Sequence, residues 1–231
     1  MLSEAHQTNV EPSNFDEFIG QKETISQIKR SLEASARRGE SIPHCIIYGP
    51  SGIGKTTLAK LIGQGNIAHL PGPTIATDPG SLSRAGKKLS NEPGILFIDE
   101  AHAMGHNAVE ALLHAMDHGI MYLGLLDSSL LYCHAPFVFA TTEFGKVPEP
   151  IRSRCSAFTF KLDFYDDTDI AEIAKQSAAK LGYHLTSGAA KSMAGRSRGI
   201  PRTANNFLMR MRDYVTGTEI SKEIADRIFE S

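Results

Sequence analysis

The sequence predicts an α/β domain built on a parallel sheet, followed by a smaller all-helical domain, and three observations carry that expectation. "HCIIYG", "GILFIDE" and "PFVFATTE" are short continuous apolar runs, the pattern of strands covered on both faces. They alternate with stretches of helical periodicity joined by short turn-rich links. From about Asp163 the pattern changes to helices only. A chain of 231 residues is long enough for one large domain or for a large and a small one.

Residues 1–14 are polar and predict a flexible arm. "SQIKRSLEASARRGES" has helical spacing, with Ile28, Leu32 and Ala36 on one side. "HCIIYG" reads as a buried strand, then comes a glycine loop, and "KTTLAKLIGQ" resumes as a helix. "GILFIDE" is a second buried strand and ends in carboxylates. "AVEALLHAMDHG" is a helix with Val109, Leu112, Leu113 and Met116 facing inward, stopped by Gly119, and "PFVFATTE" is a third strand. "DTDIAEIAKQSAAKLGY", "SGAAKSMAGRSR", "PRTANNFLMRMRDYV" and "SKEIADRIFE" are the helices of the second domain. Asp167 and Thr168 offer N-cap oxygens to the first of them, and Gly182 offers a C-cap. The predicted organisation is an arm over 1–14, the α/β domain over 15–162 and the helical domain over 163–231.

Composition narrows the function. The hydrophobic fraction of 41% and the charged fraction of 22% are ordinary for a globular protein. A net charge of −2 gives no global basic field, so contact with DNA would rest on local patches. The first residues lack the basic and apolar regions of a signal peptide, and no apolar run is long enough to span a membrane. Cys45, Cys133 and Cys155 are odd in number and lack metal-type spacing, which predicts reduced, mostly buried thiols and a cytoplasmic setting.

The chemistry is concentrated in "IIYGPSGIGKTTLAK". Gly49, Pro50, Ser51, Gly52, Ile53, Gly54, Lys55 and Thr56 fill the pattern G-x-x-x-x-G-K-[ST], between a strand and a helix as that pattern requires. Glycines let the backbone turn its N–H groups inward around a phosphate chain, and the helix beginning there, with Thr57 in its first turn, adds the positive end of its dipole. Lys55 would reach the β- and γ-phosphates, and the Thr56 hydroxyl would ligate Mg²⁺. "ILFIDE" supplies the second metal-holding group, Asp99, at a strand end, with Glu100 next in line to orient and polarise a water. These residues predict a site for ATP and Mg²⁺, with hydrolysis.

On these residues the chain resembles the AAA+ ATPases, and specifically the RuvB-type Holliday-junction branch-migration motors. The resemblance implies a three-layer αβα domain followed by a small helical lid. "FDEFIGQ" resembles the segment whose backbone, here Ile19 and Gly20, holds adenine. "IDEAHAM" resembles the family's D-E-x-H extension, and "PGPTIATDPGSLSRAGKKLSNEPGILFIDE" follows its pattern with few gaps. "FATTE" looks like the sensor 1 strand, which implies that Thr142, or Thr141, contacts the γ-phosphate or the lytic water. "PIRSRC" resembles the arginine-finger motif that reaches the nucleotide of a neighbouring subunit, with Arg154 the favoured finger and Arg152 in reserve. "SRGIPRTANN" resembles sensor 2 and implies that Arg202 projects onto the phosphates. A finger acting in trans implies a ring or other oligomer.

Two departures from the family pattern bear on partners. The family carries a winged-helix DNA-binding domain after the lid, and this sequence, read to Ser231, is expected to lack one. The family also inserts a β-hairpin that docks a junction-binding protein; the corresponding stretch here, residues 119–134, is shorter and turns at Asp127-Ser128-Ser129. Its apolar arms suit either a core ribbon or a docking surface for another protein. Arg84, Lys87 and Lys88, and Arg196, Arg198, Arg210 and Arg212, are the basic groups available to DNA. His102/His106 and His114/His118 lie at a zinc-chelating spacing, but His102 already belongs to the D-E-x-H run, and zinc is not expected. The leading expectation is an ATP-driven motor on branched DNA. A loader or remodeller of a helicase or clamp is the alternative, and a nucleotide-bound scaffold is a third that Glu100, Thr142, Arg154 and Arg202 argue against.

Overall fold

The computed structural model describes residues 10–78, 80–89, 94–122, 130–132 and 134–230, and the chain divides into two compact units. One comprises residues 23–50 and 55–162; the other gathers the described parts of 1–22, 51–54 and 163–231.

The first unit is a five-stranded parallel sheet. Its strands are β1 (Cys45–Tyr48), β2 (Ile67–Pro71), β3 (Ile95–Asp99), β6 (Phe137–Thr141) and β7 (Thr159–Lys161), in the order β2-β3-β6-β1-β7. Cys45 pairs with Val138, Ile47 with Ala140 and Tyr48 with Thr141, while Ile98 pairs with Phe139. Because all five strands run the same way, Tyr48, Asp99 and Thr141 finish at one edge. Strands β3 and β6 are buried nearly throughout, as continuous apolar runs require. The helices are α1 (Lys22–Arg38), α2 (Lys55–Ile62), α3 (Gly72–Thr77), α4 (Gly80–Leu89), α5 (His106–His118) and α6 (Glu149–Arg154). Ile46, Leu96, Ile98, Phe137 and Phe139 of the sheet join Ile75, Leu82, Leu112 and Ile151 of these helices in one core. Gly119 ends α5 with φ 64° and donates its N–H to Ala115 O at 2.8 Å.

The buried side of α1 carries Ile25, Ile28 and Ser35 rather than the expected row through Ala36, which is exposed. A shift of one residue rotates a helix face by about 100°, and neither Ser35 nor Ala36 is apolar enough to announce which way it turns. On α5, Val109 and Leu112 are buried, while Leu113 and Met116 pack partly exposed at the rim and Ala108 and Ala115 take the inner places. Two strands, β4 (Ile120–Tyr122) and β5 (Leu130–Tyr132), pair antiparallel, with Ile120 opposite Tyr132. The expected turn at 127–129 lies outside the described residues.

The second unit contains α7 (Asp167–Lys180), α8 (Ser187–Ser197), α9 (Pro201–Met211) and α10 (Lys222–Glu230). Its core is rich in small side chains: Ala174, Ala178, Ala189, Ala190 and Ala225 let the helices approach closely around Met193, Leu208 and Ile228. The N-cap of α7 is Asp166, whose carboxylate accepts from Asp169 N, one residue ahead of the expected pair. The unit is also not purely helical. Short strands β8 (His184–Leu185) and β9 (Glu219–Ile220) pair in parallel and bury Leu185 and Ile220, a two-residue pairing too brief to leave a period in the sequence. Residues 10–21 belong to this unit as well: Phe18 is buried, and Lys180 Nζ donates to Glu17 Oε2 at 2.6 Å.

Candidate nucleotide site

The carboxyl edge of the sheet collects the first group of predicted residues. The loop after β1 is bent by Gly49, Gly52 and Gly54 at φ 149°, 79° and 105°, values that a side chain disfavours. Lys55, first residue of α2, is only 7% exposed, and its ammonium donates to Gly49 O at 2.9 Å and Pro50 O at 2.8 Å. Thr56 and Thr57 follow in the same first turn, whose backbone N–H groups have no partner inside the helix. Thr56 Oγ1 donates to Asp99 Oδ2 at 3.5 Å, bringing together across the sheet the two oxygens expected to hold Mg²⁺. A hydroxyl and a carboxylate are hard oxygen donors, and two of them suit an ion that takes its remaining ligands from water and phosphate.

Glu100 occupies a left-handed conformation, φ 50° and ψ 48°, with its amide bound to Asp99 Oδ1 at 2.9 Å. Side chains with a β-carbon rarely adopt such angles, and held ones cluster at functional sites. Gly72 makes this possible: a β-carbon there would overlap the Glu100 carbonyl oxygen. Around the Glu100 carboxylate lies a polar network. His102 Nδ1 is 3.3 Å from Glu100 Oε2 and 2.9 Å from Thr141 Oγ1, and its Nε2 is 3.4 Å from Glu143 Oε1. Thr141 is fully buried and also accepts from Glu143 N at 2.9 Å. Of the two sensor candidates, Thr141 therefore lies in the network with Glu100, while Thr142 is exposed. Lys146 binds Glu143 at 2.5 Å and holds that carboxyl below its usual range.

Arg154 and Arg152 differ in surroundings. Arg154 Nε donates to Asp117 Oδ1 at 2.7 Å and its Nη2 to Asp117 Oδ2 at 2.5 Å. Arg152 instead lies over the Phe144 ring, 5.7 Å from its centroid, and its buried Nε has no hydrogen-bond partner among the described residues.

In the second unit, Gly20 is buried at φ 74°, and the Tyr165 ring packs so close to it that any β-carbon would strike Tyr165 Cε1. Ile19 beside it is half-buried. Tyr165 donates its hydroxyl to Ile53 O at 3.2 Å, and burial pushes its phenol above the ordinary value. The Phe18 ring abuts Gly54, and Gln21 and Asp163 exchange hydrogen bonds, Nε2 to O at 2.7 Å and N to Oε1 at 3.2 Å. Arg202, in the first turn of α9, donates its N–H to Gly52 O at 3.2 Å and its Nη1 to Ser51 Oγ at 3.4 Å.

Sequence reading missed Gly72, Asp117, Glu143, Phe18 and Tyr165. None lies in a spacing pattern; Phe18, Gly72 and Glu143 stood inside quoted motifs without a role, Asp117 stood inside a quoted helix, and Tyr165 carried no local signal. Of the basic groups considered for DNA, Arg84 pairs with Asp78, and Arg196 and Arg212 lie over the Phe229 and Tyr183 rings.

Two family models match the chain: the P-loop domain of the Holliday junction DNA helicase RuvB over residues 10–162, and the RuvB AAA lid domain over 165–231. The Holliday junction branch migration complex subunit RuvB of Parafrankia sp. (strain EAN1pec) is 36% identical over 236 residues, covering 96% of this chain and 65% of its own length. That of Corynebacterium jeikeium (strain K411) is 38% identical over 218 residues, with 90% and 60% covered. The chain thus spans about two thirds or less of these relatives. The solved structure of the Thermotoga maritima RuvB Holliday junction branch migration motor superposes with a TM-score of 0.79 at 33% identity, covering 96% of this chain and 72% of that one. Matched over both of its units by models of one family, with the parallel sheet and the helical lid in the same order along the chain, this protein belongs to the RuvB family.

Proposed function

We propose that the chain is the ATP-hydrolysing part of a RuvB-type motor that acts on branched DNA within a branch migration complex. The observation that carries this reading is the convergence of Lys55, Thr56, Asp99 and Glu100 at the carboxyl edge of one sheet. The amides of the glycine loop and the ammonium of Lys55 would bind and offset the charge of the triphosphate. Thr56 and Asp99 would hold Mg²⁺, which when bound offsets charge on the β- and γ-phosphates. Glu100 accepts a hydrogen bond from the attacking water and sets its line of approach. The sensor hydroxyl, Thr142 or the networked Thr141, would contact the γ-phosphate or the lytic water. Arg154 stabilises charge at the nucleotide of a neighbouring copy, where a planar, permanently charged fork suits a transferring phosphoryl group. Arg202 binds the phosphates from the lid, and Ile19 and Gly20 form the adenine seat.

The test is Glu100→Gln. It keeps the volume and removes the carboxylate, so ATP binding persists by calorimetry while turnover falls roughly a hundredfold or more. Unchanged turnover overturns the assignment of Glu100, and no heat with ATP and magnesium overturns the site. Stimulation of the wild-type ATPase by four-way junctions beyond that by duplex of equal mass supports a branched-DNA motor; equal stimulation counts against it. Mixing Lys55→Ala with Arg154→Ala subunits restores activity if the finger works across the subunit boundary.

A further inference from the structure

The guanidinium of Arg154 is not left to wander at the end of its side chain. Its backbone is pinned by Ile151 and Cys155, both fully buried, with Cys155 N donating to Ile151 O at 3.1 Å. Its side chain meets Asp117, in the last turn of α5, through two parallel contacts, Nε to Oδ1 at 2.7 Å and Nη2 to Oδ2 at 2.5 Å. A third contact runs from Nη1 to Pro150 O at 3.1 Å. The backbone that carries Asp117 is anchored on either side, because Ala115 is buried and Gly119 closes the helix onto Ala115 O.

A guanidinium carries five N–H donors in a rigid plane. Asp117 and the Pro150 carbonyl use three of them, leaving one on each terminal nitrogen. Most exposed ion pairs contribute little, but a two-point pair of planar groups also fixes direction. Both partners keep part of their surface in solvent, at 33% for Arg154 and 41% for Asp117, so the remaining donors stay within reach of an incoming group.

We propose that Asp117 is a positioning residue for Arg154: it holds the guanidinium side-on, so that the two remaining N–H groups are presented as a preformed pair to a phosphoryl group on a neighbouring copy of the chain. This rests on the reading of Arg154 as the finger. Ordering the arginine beforehand removes an entropic cost from the step in which charge develops, so the benefit falls on turnover more than on ATP affinity.

The experiment is steady-state ATPase on the assembled full chain carrying Asp117→Ala, Asp117→Asn, Asp117→Glu, Arg154→Ala and the double Asp117→Ala/Arg154→Ala, each checked by thermal melting. Asp117→Ala lowers kcat about tenfold with KM for ATP within about twofold, since only the transition state feels the loss. Asp117→Glu recovers part of that kcat. Asp117→Asn, which keeps shape and one acceptor, falls between Ala and wild type and stands in if the alanine variant melts early. In the double variant the Asp117 change has no further effect, because its benefit passes through Arg154. Wild-type kcat for Asp117→Ala beside an inactive Arg154→Ala overturns the positioning role alone, as does a double variant much worse than Arg154→Ala. Wild-type kcat for Arg154→Ala overturns the finger assignment and the positioning role with it.

Discussion

The Thr141 hydroxyl lies 2.9 Å from His102 Nδ1, and the same ring nitrogen is 3.3 Å from the Glu100 carboxylate. A buried strand residue and a residue on the loop after the neighbouring strand are thereby joined beside the proposed catalytic carboxylate. Removing the imidazole leaves Glu100 without that neighbour while the phosphate loop is untouched. His102→Ala is expected to lower kcat about ten- to a hundredfold through misplaced geometry, with ATP affinity measured by calorimetry unchanged. Equal losses in affinity and turnover would instead mean that the ring shapes the binding site.

Thr141→Val preserves shape, deletes a fully buried hydroxyl and takes the 2.9 Å acceptor from the part-buried Glu143 amide. Water can still reach that amide, so the loss is about 1 kcal/mol, the net worth of one hydrogen bond. Urea unfolding should show that loss. Turnover should fall with it, whereas the exposed Thr142, replaced by Val, should leave stability unchanged.

Gly72→Ala puts a methyl group into the Glu100 carbonyl. Either β2 or the loop after β3 must yield, and overpacking of this kind costs about 1–3 kcal/mol. A drop in the urea midpoint together with a drop in kcat is the expected pair of readings. A fall in stability with full turnover would show that Glu100 does not need its left-handed backbone.

The tether between residues 10–21 and α7 should fail in acid. The Lys180 ammonium, with Ser13 assisting, holds the Glu17 carboxyl at about 2 instead of 4.5. A carboxylate whose folded value is depressed stabilises above its unfolded value, and that contribution is lost as pH falls through the folded one. Loosening of this segment is therefore expected as pH drops from 4.5 toward 2, seen as protease sensitivity near Phe18 with an acid-stable protease. Lys180→Met should remove most of the pH dependence, leaving the smaller share that Ser13 supplies.

Cys45 and Cys155 should resist alkylation in the folded protein. Burial raises both thiols, Cys155 to about 12, so almost no thiolate forms near neutral pH. Peptide mapping after iodoacetamide at pH 8 should find both unmodified until denaturant is added.

What the sequence determined on its own is what short spacing encodes. The glycine loop, Lys55 and Thr56 need only a strand before them and a helix after them, and Asp99 and Glu100 need only a strand end. Buried parallel strands show themselves because both faces must be apolar. Tertiary structure decided whatever depends on which strand ends meet. Asp117 and Arg154 are 37 positions apart, and His102 and Thr141 are 39 apart. Thr56 meets Asp99 because β6 stands between β1 and β3 and brings their ends to one edge. The face of α1 and the need for glycine at position 72 follow likewise from packing. A side chain's partners across the fold are set by sheet order and close approach, and neither leaves a local period for the sequence to display.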